Sequence, residues 1–191
     1  MNIAVPSSLA YPLWNTANAS DHDLRSCHGS ALAQLGATLF RESCPLEAIE
    51  VFSEALSLKP ASLSIRDWRA ACYIDLGNYD MALADLNEIV AQAPKYATVY
   101  NNRGLCYLLM GRLAEALADL DTAIKLNPAY TMAYANRARI YCDLGQYGPA
   151  QQSCDMGLSL NPACEELRIV QRRILDRICS FEPDTGKQPE Q

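Results

Sequence analysis

The chain has 191 residues, half of them hydrophobic and a fifth charged, which is globular composition with material for one core of ordinary size. No apolar run approaches the ~20 residues needed to cross a bilayer, so no membrane attachment is expected. A net charge of −6 removes the basic surface on which general nucleic-acid binding depends and makes a basic partner easier to accept.

The first stretch, Met1 to Asn15, lacks the basic start and continuous apolar core of a signal peptide, which points to an unprocessed, cytoplasmic protein. Residues 1–19 carry Pro6 and Pro12 among small polar residues without a sustained period, and are expected to be disordered. Tyr11, Leu13 and Trp14 are apolar enough to reach back onto the folded part. Ser20 or Asp21 is placed to cap a helix in which Leu24, Cys27, Ala31, Leu32, Leu35 and Leu39 recur at helical spacing up to about Arg41. A zinc site from Asp21, His22, Asp23, Cys27 and His28 can be drawn on adjoining turns, but a solvated helix start is the preferred reading. Pro45 suits the first turn of a second helix, which runs through Ala48, Phe52 and Ala55 to about Leu58. Lys59-Pro60 ends it, because the residue before proline is pushed out of the helical region.

From here the pattern repeats. Pro60, Pro94, Pro128 and Pro162 are each 34 residues apart; Tyr73, Tyr107 and Tyr141 follow the same step, as do Gly77, Gly111 and Gly145. Four units result, 29–62, 63–96, 97–130 and 131–164. A fixed period of this length marks a solenoid, whose units bury apolar faces against their neighbours. Each first helix begins after a small polar residue such as Ser62 or Thr131 and ends at a glycine suited to a left-handed cap. The second follows within about three residues, which forces an antiparallel pair. Ala48, Ala82, Ala116 and Ala150 lie where the two helices approach closely, opposite Gly36, Ala70, Gly104 and Ala138. Cys72, Cys106, Cys142 and Cys154 occupy slots for small apolar residues and no CxxC pair occurs, so the thiols are expected to be reduced, with Cys27 and Cys44 the most accessible. Residues 163–180 present Leu167, Val170, Ile174 and Ile178 as one stripe, the pattern of a terminal capping helix. Its arginines read as a solvated face, and 181–191 as a frayed tail.

Arg69, Arg103 and Arg137 also follow the period. Asp85 and Asp119 stand at equivalent places on second helices, so Arg69 with Asp85 and Arg103 with Asp119 are read as pairs within a repeat. Arg137 has Ser153 in that slot, with Asp155 nearby.

Leu32, Leu35, Gly36, Leu39, Ala48, Phe52, Ala55 and Pro60 in the first unit form a pattern met again in Tyr100, Gly104, Tyr107, Ala116, Leu120, Ala123 and Pro128, and in Tyr134, Ala138, Tyr141, Ala150, Gly157 and Pro162. It resembles the tetratricopeptide repeat. The second unit departs by placing Arg66 in the first slot, two residues before Trp68. The resemblance implies an all-α, right-handed α-solenoid of four helix-turn-helix repeats with a C-terminal capping helix, over 20–180. It also implies a concave wall built from the first helices, where members commonly bind a peptide. That wall falls on Phe40, Ser64, Ala71, Asp75, Thr98 and Met132 and, as the candidate peptide-binding residues, Asp67, Asn101, Asn102, Leu105, Leu109, Asn136, Arg139 and Asp143. Asn102 and Asn136, one period apart, would make an amide ladder beside an apolar floor of Leu105 and Leu109. One subset of the family grips the terminal carboxylate of heat-shock chaperones with lysines; the corresponding slots here are Ala33, Thr98 and Asn102, which argues against that ligand.

No nucleophile, base and carboxylate stand at a recognisable spacing and no glycine-rich phosphate loop is present. The reading is a non-enzymatic adaptor without cofactor or metal, monomeric, binding a protein or peptide rather than nucleic acid or membrane. A dedicated chaperone, or an accessory subunit docked through its outer face, is the alternative.

Overall fold

The computed structural model describes residues 21–179. Over them it forms nine helices and no strand: α1 (Asp21–Arg41), α2 (Pro45–Leu58), α3 (Leu63–Asp75), α4 (Tyr79–Gln92), α5 (Ala97–Leu109), α6 (Leu113–Leu126), α7 (Thr131–Asp143), α8 (Tyr147–Leu160) and α9 (Glu165–Cys179). Expectations for 1–19 and 181–191, Tyr11, Leu13 and Trp14 among them, lie outside the described residues, as do the side chains of Asp21, His22, Asp23 and Ile178. The helices fall into two compact units, the first ending at Ile65 and the second beginning at Arg66.

In the first unit α1 and α2 approach closely because one contact position has no side chain. A Cβ on Gly36 would lie 2.6 Å from the Phe52 ring, and Phe52, Ala48 and Ala55 are fully buried. The turn between the helices is closed by backbone alone: the Ser43 amide donates to Phe40 O (3.1 Å) and the Cys44 amide to Leu39 O (2.9 Å). This paired bonding requires a left-handed residue after the helix, and Ser43 supplies it at φ 61°. Pro45 then opens α2.

The second unit repeats this turn with glycine. Gly77, Gly111 and Gly145 sit at φ 74°, 74° and 70°, and the same two amide bonds close each turn. Small residues again set the spacing: a Cβ on Gly104 would lie 3.2 Å from Ala116 O. At the far end α9 lies against α7 and α8, where Leu167, Val170 and Ile174 join Ala135, Ala138, Cys142, Ala150, Cys154 and Cys164 in one core. Gly157 is required there, since a Cβ would overlap Leu167 Cδ1. One helix start differs from the sequence expectation. Thr131 is the first residue of α7 and Tyr130 precedes it, with no side-chain cap bond, so the inter-repeat turn fixes the start.

Ser43 occupies the slot that glycine holds in the other three turns, and L-residues pay for left-handed geometry through Cβ crowding. Ser43→Gly should therefore stabilise by roughly 0.5 to 1 kcal/mol, after the entropy glycine loses on folding. Gly111→Ala should destabilise by roughly 1 to 2 kcal/mol, although its methyl would meet no atom within 4 Å; urea unfolding checks both. Burial pushes the thiols of Cys72 and Cys154 up to about 11 and that of Cys106 up to about 12, whereas Cys27 is exposed. At pH 8, Ellman's reagent should titrate Cys27 promptly and these three only as the protein opens.

Candidate functional site

The arginine ladder resolves into structure. Arg69 on α3 donates to both carboxylate oxygens of Asp85 at 2.8 Å, and Arg103 on α5 does the same to Asp119 at 2.7 and 2.8 Å. These bidentate forks neutralise two acids that are only 4% and 7% exposed, where an unpaired charge would be costly. The forks hold both arginines strongly protonated. Each guanidinium also lies near a tyrosine ring, Arg69 by Tyr73 and Arg103 by Tyr100. Arg137, whose partner the sequence left open, does not turn to Asp155. It donates to Ser153 Oγ (3.2 Å) and pairs with Asp121 (2.7 Å), on the second helix of the preceding repeat. Asp155 accepts from Gln151 instead.

With the arginines engaged on the second helices, a different set faces along α3, α5 and α7. Asn136 on α7 donates to Asn101 Oδ1 (2.9 Å), Asn101 donates to Asn102 Oδ1 (3.3 Å), and Asn102 donates to Asp67 Oδ1 on α3 (3.1 Å). Four of the eight candidate residues thus form one hydrogen-bonded chain across three first helices. Asn101, offered by the sequence as a wall residue, is its buried centre at 5% exposure, spending both ends of its amide inside the chain. Asn102, Asn136 and Asp67 are half-buried and keep polar capacity, since a primary amide has two donors and an acceptor with two lone pairs.

The two leucines differ. Leu105 packs against the core of Leu108, Ala116, Leu120, Ala123, Ala133 and Ile140, whereas Leu109 is 39% exposed. The apolar floor is therefore chiefly Leu109. Asp143 is held by Arg173 of α9 at 2.9 Å, while Arg139 is exposed. Asn136, Arg139, Glu166, Ile169, Val170 and Arg173 line a cleft of about 370 Å³ between α7 and α9. The sequence reading missed α9's part in it: Arg173 was taken for a solvated residue, and only the Asp143 contact distinguishes it. Phe40 and Ser64 belong to the first unit.

Asp67 has the most unusual electrostatics of the set. Burial raises its pKa above the ordinary aspartate value, and the Asn102 bond only partly offsets this. Its charge and Tyr96 add to burial in pushing the Tyr130 phenol up. Both tyrosines escaped the sequence reading, although they stand one period apart, each two residues after a repeat proline.

A carboxyl whose folded pKa exceeds its unfolded one stabilises fully below the unfolded value, and that contribution is lost as pH rises through the folded value. Asp67→Asn removes the charge yet keeps an acceptor for Asn102. The D67N protein should melt above the wild type at pH 7, and the difference should shrink to nothing below about pH 4, where the wild-type carboxyl is protonated; calorimetry across this range checks the sign.

Two family models match, both described as tetratricopeptide repeat, at residues 97–130 and 39–102. No curated protein matches the sequence significantly. Among solved structures, a thermophilic TPR protein of Thermus thermophilus is 24% identical at a TM-score of 0.69, covering 81% of this chain and 83% of its own. PilF of Pseudomonas aeruginosa is 19% identical at 0.72, covering 86% and 79%. The first TPR domain of Spaghetti (RPAP3), solved with the HSP90 peptide SRMEEVD, is 24% identical at 0.58, covering 61% and 93%. At these identities the structural likeness speaks for the fold. Among the described residues no helix is long and apolar enough to cross a membrane. The shared left-handed turn, the 34-residue period and the family matches agree: the chain belongs to the tetratricopeptide repeat family, whose fold is typically a non-enzymatic scaffold for protein–protein interaction.

Proposed function

We propose that this protein is an adaptor that binds a short, extended segment of a partner protein along the first helices of its second unit. The observation that carries the reading is the chain Asn136–Asn101–Asn102–Asp67. It holds the Asp67 carboxylate of α3 and the side-chain amides of α5 and α7 in one orientation, so their remaining donors and acceptors meet a peptide backbone without further ordering cost. Leu109 beside them offers an apolar contact, and Asn136 and Arg139 carry the row into the α7/α9 cleft. The structural neighbour solved with an HSP90 peptide illustrates this use of the fold. A chaperone tail is disfavoured for this chain because Ala33, Thr98 and Asn102 stand where lysines would be needed. The seven cysteines among the described residues are all free, which fits a reducing compartment, and we place the adaptor in the cytoplasm as a monomer.

A second reading, as a dedicated chaperone or accessory subunit docked through its outer face, is favoured by exposed Met81 and by the hollow of about 260 Å³ that it lines with Gly77, Asn78, Tyr79, Asp80 and Met110.

Peptides selected on the wild-type protein from a displayed random library separate the two. On the proposed surface Asn136→Ala removes hydrogen bonding worth roughly 0.5 to 1.5 kcal/mol, or about 2- to 12-fold in affinity by calorimetric titration. Leu109→Asp should cost more than 10-fold by charging the apolar contact. Asn102→Ala should weaken binding as Asn136→Ala does, with an added loss of stability because Asp67 loses its donor. Peptides sensitive to Met81→Asp but to none of these would move the site to the outer face.

A further inference from the structure

Three described carboxylates are not exposed: Asp67, Asp85 and Asp119. Asp85 and Asp119 each receive an arginine fork. Asp67 receives only the amide of Asn102 at 3.1 Å, and no described cation pairs with it. A half-buried carboxylate without a cation is electrostatically unfavourable, and the fold had the means to avoid it, since it places arginines on the two other shielded acids. The surroundings point to something that arrives from outside. Thr98, one turn before Asn102 on the same face of α5, has a buried hydroxyl with no hydrogen-bond partner. Tyr130 stands within electrostatic reach of Asp67, and Tyr96 within reach of Tyr130; tyrosine attracts a cation through both ring face and phenol oxygen.

We propose that Asp67, with Tyr130 and the Thr98 hydroxyl beside it, is the seat for a lysine or arginine side chain of the bound segment. The inference rests on the groove reading above and names the chemistry of the segment. A basic side chain would supply the counter-charge that Asp67 lacks, and its remaining donors would meet the Thr98 hydroxyl and the phenols. The net charge of −6 draws such a segment in over long range. An acidic segment, by contrast, would set a second carboxylate beside Asp67. The stability that the wild type gives up by keeping this charge is regained only on binding, a common mark of a recognition residue.

The test uses the full-length protein and peptides selected on it from a displayed random library. Aligned sequences should converge on lysine or arginine at one position. For the best synthetic peptide, Asp67→Asn should lower affinity about 10-fold or more while the variant melts no lower than wild type, so that lost folding is excluded. Replacing the peptide's basic residue with norleucine should weaken wild-type binding similarly and add nothing on the D67N background, because the two changes remove one interaction. Peptides weakened by Leu109→Asp yet lacking a basic position, or bound equally by D67N, would overturn this inference and leave the groove reading standing. A selection that yields no peptide weakened by Leu109→Asp or Asn136→Ala would overturn the groove reading, and this inference with it.

Discussion

Everything in this molecule follows from the left-handed turn that closes each helix pair. In each three-residue connection one residue takes positive φ, and the two amide bonds this allows satisfy two of the carbonyls that the helix end would otherwise leave open. Because Ser43, Gly77, Gly111 and Gly145 all make it, the paired helices are short and their axes close. Close axes in turn demand Gly36, Gly104 and Gly157 at the contacts. Other side chains of the first helices bond across pairs, Asn102 to Asp67 and Asn136 to Asn101, and there the amide chain forms.

Charge is distributed by the same geometry. An arginine on a first helix lies opposite the residue sixteen positions later on its partner helix, and Arg103 and Arg137 also reach the residue sixteen positions earlier. Arg103 spans Asp119 and Asn87, and Arg137 spans Ser153 and Asp121. Arg103 and Arg137 therefore each tie a hairpin to its predecessor as well as to itself. Loss of the aspartate from one slot is tolerated because another slot carries it, and this is why Arg137 keeps its charge although position 153 is serine.

Much of this was legible in the sequence, because it depends on period. Equal spacing of prolines, glycines and alanines locates helices, turns and close contacts, and the pairings of Arg69 with Asp85 and Arg103 with Asp119 follow from residues that recur together in the second and third repeats. What was not legible depends on rotamers. Asn101 and Asn102 are adjacent, and nothing in their identity says that one is buried and the other half-exposed. Leu105 and Leu109 share a helical face, yet one packs into the core and the other stands clear. Ser43 hides its strain behind a residue type that is common in turns. Arg173 is one of several arginines on α9, and only the position of Asp143 singles it out.

Asp67 shows why the site is harder to read than the fold. A packing slot is recognised because the same need recurs at each repeat and the same residue type answers it. A recognition residue answers a need that arises once, so it breaks the period instead of following it. Asn101 follows Asp67 at the repeat step and lacks its charge. The departure carries a physical signature once coordinates are in hand: a carboxylate shielded from water, with an amide where its counterparts have a guanidinium. In a chain built by repetition, the position at which a polar group is buried without the partner found elsewhere is where we propose that selection for binding has outweighed selection for stability.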